Sequence, residues 1–126
     1  MDFKLLLAKS ADCFSVHNAT GHFWYQRVTA LALIPLSVWL LLLLDKALSA
    51  PYADTVAWLT SPINALAIVA WTAAVIFHAA LGVQVVIEDY VSTLSIRHLA
   101  IRVTNLIFLG LGIAALVAIF FILMDR

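Results

Sequence analysis

Among the ionisable residues of this sequence, His78 occupies the most unusual setting, near the middle of a stretch (55–87) without Asp, Glu, Lys or Arg. An ionisable group so deep in an apolar segment usually faces a bundle interior and marks a proton path, an ion site or a cofactor. The alternative is a neutral imidazole that donates one hydrogen bond to a neighbouring helix. If the segment is helical, the residues four before and four after His78 flank it on one face. These are Ala74 and Gly82, both small. A flat macrocycle ligated by the imidazole would need that room, although small residues are also common where membrane helices pack.

Eleven residues beyond His78 stands Asp89, between Glu88 and Tyr90. Eleven helical steps return to within about 20° of the same face, about 16 Å along the axis. Carboxylates at a helix C-terminus oppose the macrodipole, so their place there suggests a use such as delivering protons to a reducible ligand. Solvated acids beside an interfacial tyrosine are the other reading. Arg27 lies just inside the aromatic group Phe23, Trp24 and Tyr25. A guanidinium at that depth would suit an anionic group or a polar carbonyl, or it snorkels to lipid headgroups.

The elements that position these residues follow from composition. Of the 126 residues, 65% are hydrophobic and 11% charged, with a mean hydropathy of +1.08. A water-soluble domain of this size needs more polar surface than that, so lipid must cover the remainder. Zero formal net charge gives no sign of a nucleic-acid partner. The lone Cys13 excludes an intrachain disulfide and any cysteine-based metal motif. The apolar run at 5–8 is too short for a signal-peptide core, so the chain is expected to keep its N-terminus.

Three charge-free stretches, 28–44, 55–87 and 103–124, predict an all-α membrane protein with three transmembrane helices. The first extends back through the aromatic belt, and Ser61-Pro62 offers an N-cap and first helical position for the second. The expected spans are therefore 23–44, 62–88 and 100–124, within one membrane-anchor domain covering 1–126. Residues 45–60 form an outer loop in which Asp54 could cap a short interfacial helix. Lys4, Lys9, Arg27, Arg97 and Arg102 fall on one side against Lys46 and Arg126 on the other, which predicts a cytoplasmic N-terminus and a C-terminus opposite. In that orientation His17, His22 and His98 lie near or outside the cytoplasmic boundary, leaving no second histidine at the depth of His78. Gly110, Ala114 and Ala118 form a stripe suited to close packing, and Pro35 would free a carbonyl inside the first helix.

His78-Ala-Ala-Leu-Gly82 followed by Ile87-Glu88-Asp89-Tyr90 resembles the second-helix motif of the small, D-type haem b anchor subunits of succinate dehydrogenase, or complex II. The segment from Gly21 to Ala30, including His22, Trp24 and Arg27, is similar to the first-helix entry of the bacterial members. The resemblance implies that His78 is an axial ligand of a haem b shared with a larger anchor subunit, which supplies the second histidine. It implies that Tyr90 hydrogen-bonds a quinone carbonyl with Asp89 beside it, and that Arg27 stands near the haem propionates and the quinone. His22 is carried over as a further residue near that pocket. The quinone is expected to be ubiquinone. Further partners would be an iron–sulfur subunit and a flavoprotein subunit that oxidises succinate, all at the bacterial inner membrane. A menaquinone-linked fumarate reductase anchor and a haem-free membrane scaffold or transporter subunit remain the alternatives.

Overall fold

The computed structural model describes residues 3–125, with side chains described for Lys4 and for 23–125. It contains four helices: α1 (Phe3–Ser49), α2 (Tyr52–Leu59), α3 (Pro62–Tyr90) and α4 (Leu94–Met124). Three stretches are long and apolar enough to cross a membrane, Phe23–Ser49, Pro62–Tyr90 and Leu94–Met124. These match the three expected spans in number and order, and each is longer at one end or both. His22, Cys13 and His17 lie outside the residues whose side chains are described.

The helix boundaries follow local chemistry. Helix α3 opens at Pro62 with Ser61 at the N-cap, where a missing proline N–H costs nothing. The Ser61 hydroxyl does not cap the helix. It donates to the Trp58 carbonyl (3.0 Å) and accepts from Asn64 Nδ2 (2.8 Å), so the preceding turn has taken its hydrogen bonds. The short interfacial helix exists as α2, but Pro51 occupies its N-cap and Asp54 sits inside the first turn. A carboxylate there still complements the helix dipole. Helix α4 begins at Leu94, not near residue 100, which reduces the second connection to residues 91–93. Arg97 supports that tight turn by donating from Nε to the Val91 carbonyl at 2.9 Å. Polar residues such as Ser95 and His98 lower the hydropathy of α4's first turns without hindering their backbone bonding.

Helix α3 is the central element, packed against α1 on one side and α4 on the other, and the short α2 touches all three. The only buried side chains among the described residues are Leu59, Ile68, Leu81 and Thr72. Thr72 satisfies its hydroxyl on the Ile68 carbonyl at 2.8 Å. Nothing in the most apolar windows of α1 and α4 is buried by the chain itself, against 11% of the window of α3. Such surfaces require lipid or other subunits as their solvent.

At the α2 end, Trp39 stacks on Trp58 with ring centroids 5.9 Å apart and planes 13° off parallel. Trp39 Nε1 donates to Asn64 Oδ1 (2.9 Å), and Asn64 Nδ2 donates to the Trp58 carbonyl (2.9 Å). The three residues join α1, α2 and α3. At the opposite end the Tyr25 and Phe77 rings meet edge to face, 5.8 Å apart. The two ends together fix the register of α1 on α3. On α4, Gly112 faces Ile76, and a Cβ there would lie 3.7 Å from the Ile76 Cδ1. The Gly110, Ala114 and Ala118 stripe is exposed, with open space around Gly110, so it points away from the other helices of this chain.

Candidate functional site

His78 lies half-buried on the face of α3 that meets α1. Its Nδ1 is 3.0 Å from the hydroxyl oxygen of Thr29, one of α1's part-buried side chains. The same hydroxyl reaches back to the Tyr25 carbonyl at 2.7 Å and the Gln26 carbonyl at 3.1 Å. A hydroxyl carries one proton and can accept through its lone pairs. The arrangement that satisfies the short Tyr25 contact and the imidazole contact together has Thr29 donating to backbone and accepting from His78 Nδ1–H. The neutral ring then carries its free lone pair on Nε2. A metal-ligating histidine has the same pattern, with one nitrogen held by an oxygen acceptor and the other available.

The seam around His78 also leaves two polar atoms without partners. Gln26 Oε1 and Trp71 Nε1 are both buried and make no hydrogen bond. Gln26 stands over Gly82, its Nε2 3.6 Å from where a glycine Cβ would be. Trp71, His78 and Gly82 fall within about 40° of one another around α3. One acceptor and one donor therefore flank His78 along a single stripe. An unmade bond of this kind costs about 1–3 kcal/mol. The room expected at Gly82 is partly taken by the Gln26 amide, whereas Ala74 keeps its side of the imidazole small.

His78 is the one side chain of this seam that could hold a haem iron, through Nε2, with Ala74 small on one side and Gln26 occupying the space at Gly82 on the other. Among the described residues no group of three or more His, Cys, Asp or Glu could hold a metal ion by itself.

Asp89 and Tyr90 are the last two residues of α3, and both are exposed, Tyr90 by 84%. Glu88 accepts a hydrogen bond from Gln84 Nε2 at 3.0 Å, which leaves Asp89 as the carboxylate without an intrahelical partner at this end. Arg27 is exposed as well, and its guanidinium lies over the Phe23 ring, 4.8 Å from the centroid. Helices α1 and α3 are antiparallel, and the Thr29–His78 and Gln26–Gly82 contacts set Arg27 level with about residue 80 of α3, roughly 13–14 Å of helix from Asp89 and Tyr90. None of them bonds another of the three, and each is free to meet a group from outside the chain.

Two residues of this arrangement, Thr29 and Gln26, do not stand out in the sequence. Thr29 is one of several threonines in apolar stretches, and only the pairing of α1 with α3 brings it to His78. Beside this seam a separate cleft of about 570 Å³ opens between α3 and α4, lined by Tyr25, Phe77, Gln84 and Asn105. His78, Asp89 and Tyr90 do not line it.

Comparison with known proteins adds an independent result. Residues 8–123 match the family model described as the succinate dehydrogenase/fumarate reductase transmembrane subunit. A succinate dehydrogenase hydrophobic membrane anchor subunit of Rickettsia bellii is 32% identical over 121 residues, 95% of this chain and 96% of that protein. Its counterpart in Rickettsia felis is 34% identical over 115 residues, covering 88% and 93% of the two chains. That of Rickettsia conorii is 31% identical over 121 residues, 95% of this chain and 96% of the relative. No solved structure matches the chain at a significant level.

Proposed function

This chain belongs to the succinate dehydrogenase/fumarate reductase transmembrane subunit family, a multi-pass anchor of the bacterial inner membrane, and from that premise we propose its role in electron transfer. In this reading it holds one side of a haem b through His78 and forms part of the site where a quinone receives electrons from succinate oxidation. The observation that supports it most is the Thr29 contact, which engages Nδ1 of a histidine within an apolar span and leaves Nε2 available. A larger anchor subunit would supply a further histidine to that haem, and an iron–sulfur and a flavoprotein subunit would complete the complex. The N-terminus is cytoplasmic, which puts Tyr90, Asp89 and Arg27 on the side where those subunits dock.

Mechanistically, a bound haem supplies a one-electron relay whose potential depends on its axial ligands and burial. The remaining work falls to the chain's own side chains. A quinone that becomes a quinol takes up two electrons and two protons. The Tyr90 hydroxyl donates a hydrogen bond to one quinone carbonyl oxygen and so polarises it. Asp89, exposed at the membrane boundary, passes protons from water towards that oxygen. Arg27 offsets negative charge on the reducing ring or on a haem propionate, and an Arg fork can do so through two parallel bonds. His22 remains a candidate contact near the same pocket. Ubiquinone is the proposed acceptor.

The test is an optical difference spectrum, reduced minus oxidised, of the purified complex. With wild-type chain a haem b band is expected, and His78→Ala should abolish it or convert it to a different coordination state. An assembled His78→Ala complex with an unaltered haem band would refute ligation by this residue.

A further inference from the structure

We infer that Thr29 is a positioning residue for His78, fixing the tautomer and ring plane of the imidazole and setting its strength as an electron donor. The inference rests on the proposed haem ligation and specifies how this chain controls it. Three distances carry it. Thr29 Oγ1 lies 2.7 Å from the Tyr25 carbonyl, 3.1 Å from the Gln26 carbonyl and 3.0 Å from His78 Nδ1. The two backbone carbonyls on its own helix are fixed acceptors, so the hydroxyl proton is directed to them and the oxygen lone pair towards the imidazole. A free hydroxyl rotor could serve either tautomer. Here the short Tyr25 contact favours the arrangement in which the hydroxyl accepts from the ring.

Two consequences follow for the ring. The proton stays on Nδ1, so Nε2 is never blocked, and no tautomeric change is needed before ligation. Nδ1–H donation also gives the imidazole partial anionic character, which raises ligand basicity and favours the oxidised state of a coordinated iron. The anchor is firm because it stands on α1, whose register on α3 is held at both ends. Tyr25 against Phe77 lies on one side, and Trp39 with Asn64 on the other. Side-chain packing between α1 and α3 alone would not need a hydroxyl here, since valine has the same shape.

The experiment compares the purified complex carrying Thr29→Val, Thr29→Ser or His78→Ala with wild type. The readouts are the haem midpoint potential by redox titration and the low-spin electron paramagnetic resonance signal. Thr29→Val should raise the midpoint so that the oxidised-to-reduced ratio at a fixed potential falls about threefold to tenfold, ~30–59 mV for one electron. Its resonance signal should broaden as the ring plane loosens. Thr29→Ser should restore both. A wild-type potential and signal in Thr29→Val, with the haem lost in His78→Ala, would overturn the role of Thr29 alone. An unaltered haem in assembled His78→Ala would overturn the ligation and this inference with it. Should Thr29→Val fail to assemble, Thr29→Cys, a weaker acceptor of similar size, is read by the same criterion: a raised potential supports the role and an unchanged one overturns it.

Discussion

Asn64→Leu separates the structural role of the α2 end from the chemistry at His78. Asn64 takes part in three hydrogen bonds: it accepts from Trp39 Nε1 (2.9 Å) and donates to the Trp58 carbonyl (2.9 Å) and the Ser61 hydroxyl (2.8 Å). Leucine keeps the volume and removes all three. Hydrogen bonds between membrane helices average ~0.6 kcal/mol, so the expected loss is about 2 kcal/mol. At ~1.4 kcal/mol per decade, that is a ~30-fold change in the unfolding equilibrium. The assay is reversible unfolding of the purified complex in mixed micelles, with Trp39 and Trp58 fluorescence reporting on their stack. His78 is 14 residues along the same helix, about 21 Å at 1.5 Å per residue. The contacts of Thr29, Gln26 and Tyr25 hold α1 to α3 at that end independently. The haem band and midpoint potential should therefore match wild type. A loss below about 0.5 kcal/mol would refute the energetic role of the clamp. A shifted haem potential would refute the independence of the two ends.

Three further outcomes are expected. Tyr90→Phe should lower kcat/KM for quinone reduction about tenfold or more, the effect of losing one hydrogen bond of ~1.4 kcal/mol that forms fully at the transition state, with haem content unchanged in the optical spectrum. Gly112→Ala should change stability by less than about 0.5 kcal/mol in the same unfolding assay, because the new Cβ would meet Ile76 at 3.7 Å, an ordinary contact. Gly112→Phe should instead push α4 from α3 and lower the yield of assembled complex.

What the sequence made legible and what it hid divide along a physical line. Charge-free runs report depth in a bilayer, so three spans, the break at Ser61-Pro62 and the depth of His78 can all be read from one chain. Helix ends outside the hydrocarbon obey backbone hydrogen bonding instead. For this reason the first turns of α4, with Ser95, Arg97 and His98, lie beyond what hydropathy predicts. Side-chain positions that depend on the register between helices were hidden. Thr29 meets His78 across 49 residues of sequence, and Gln26 fills the space at Gly82 that spacing alone leaves open. Expectations for Arg27, Asp89 and Tyr90 concern contacts with groups beyond the chain, and the helix register sets Arg27 roughly 13–14 Å along α3 from the other two.

The architecture also leaves much of the chain's surface dependent on its surroundings. A closed bundle would bury His78 among its own helices and satisfy every polar atom of the seam internally. Here α3 is flanked by α1 and α4 on separate sides, and Gln26 Oε1 and Trp71 Nε1 remain unpaired beside the imidazole. The apolar faces of α1 and α4 are likewise uncovered by the chain. Lipid can cover apolar surface, but it cannot pair a buried amide oxygen or an indole N–H. The uncovered faces of α1 and α4 are therefore where lipid or a neighbouring subunit packs, while the unpaired atoms stay enclosed within the chain's own seam.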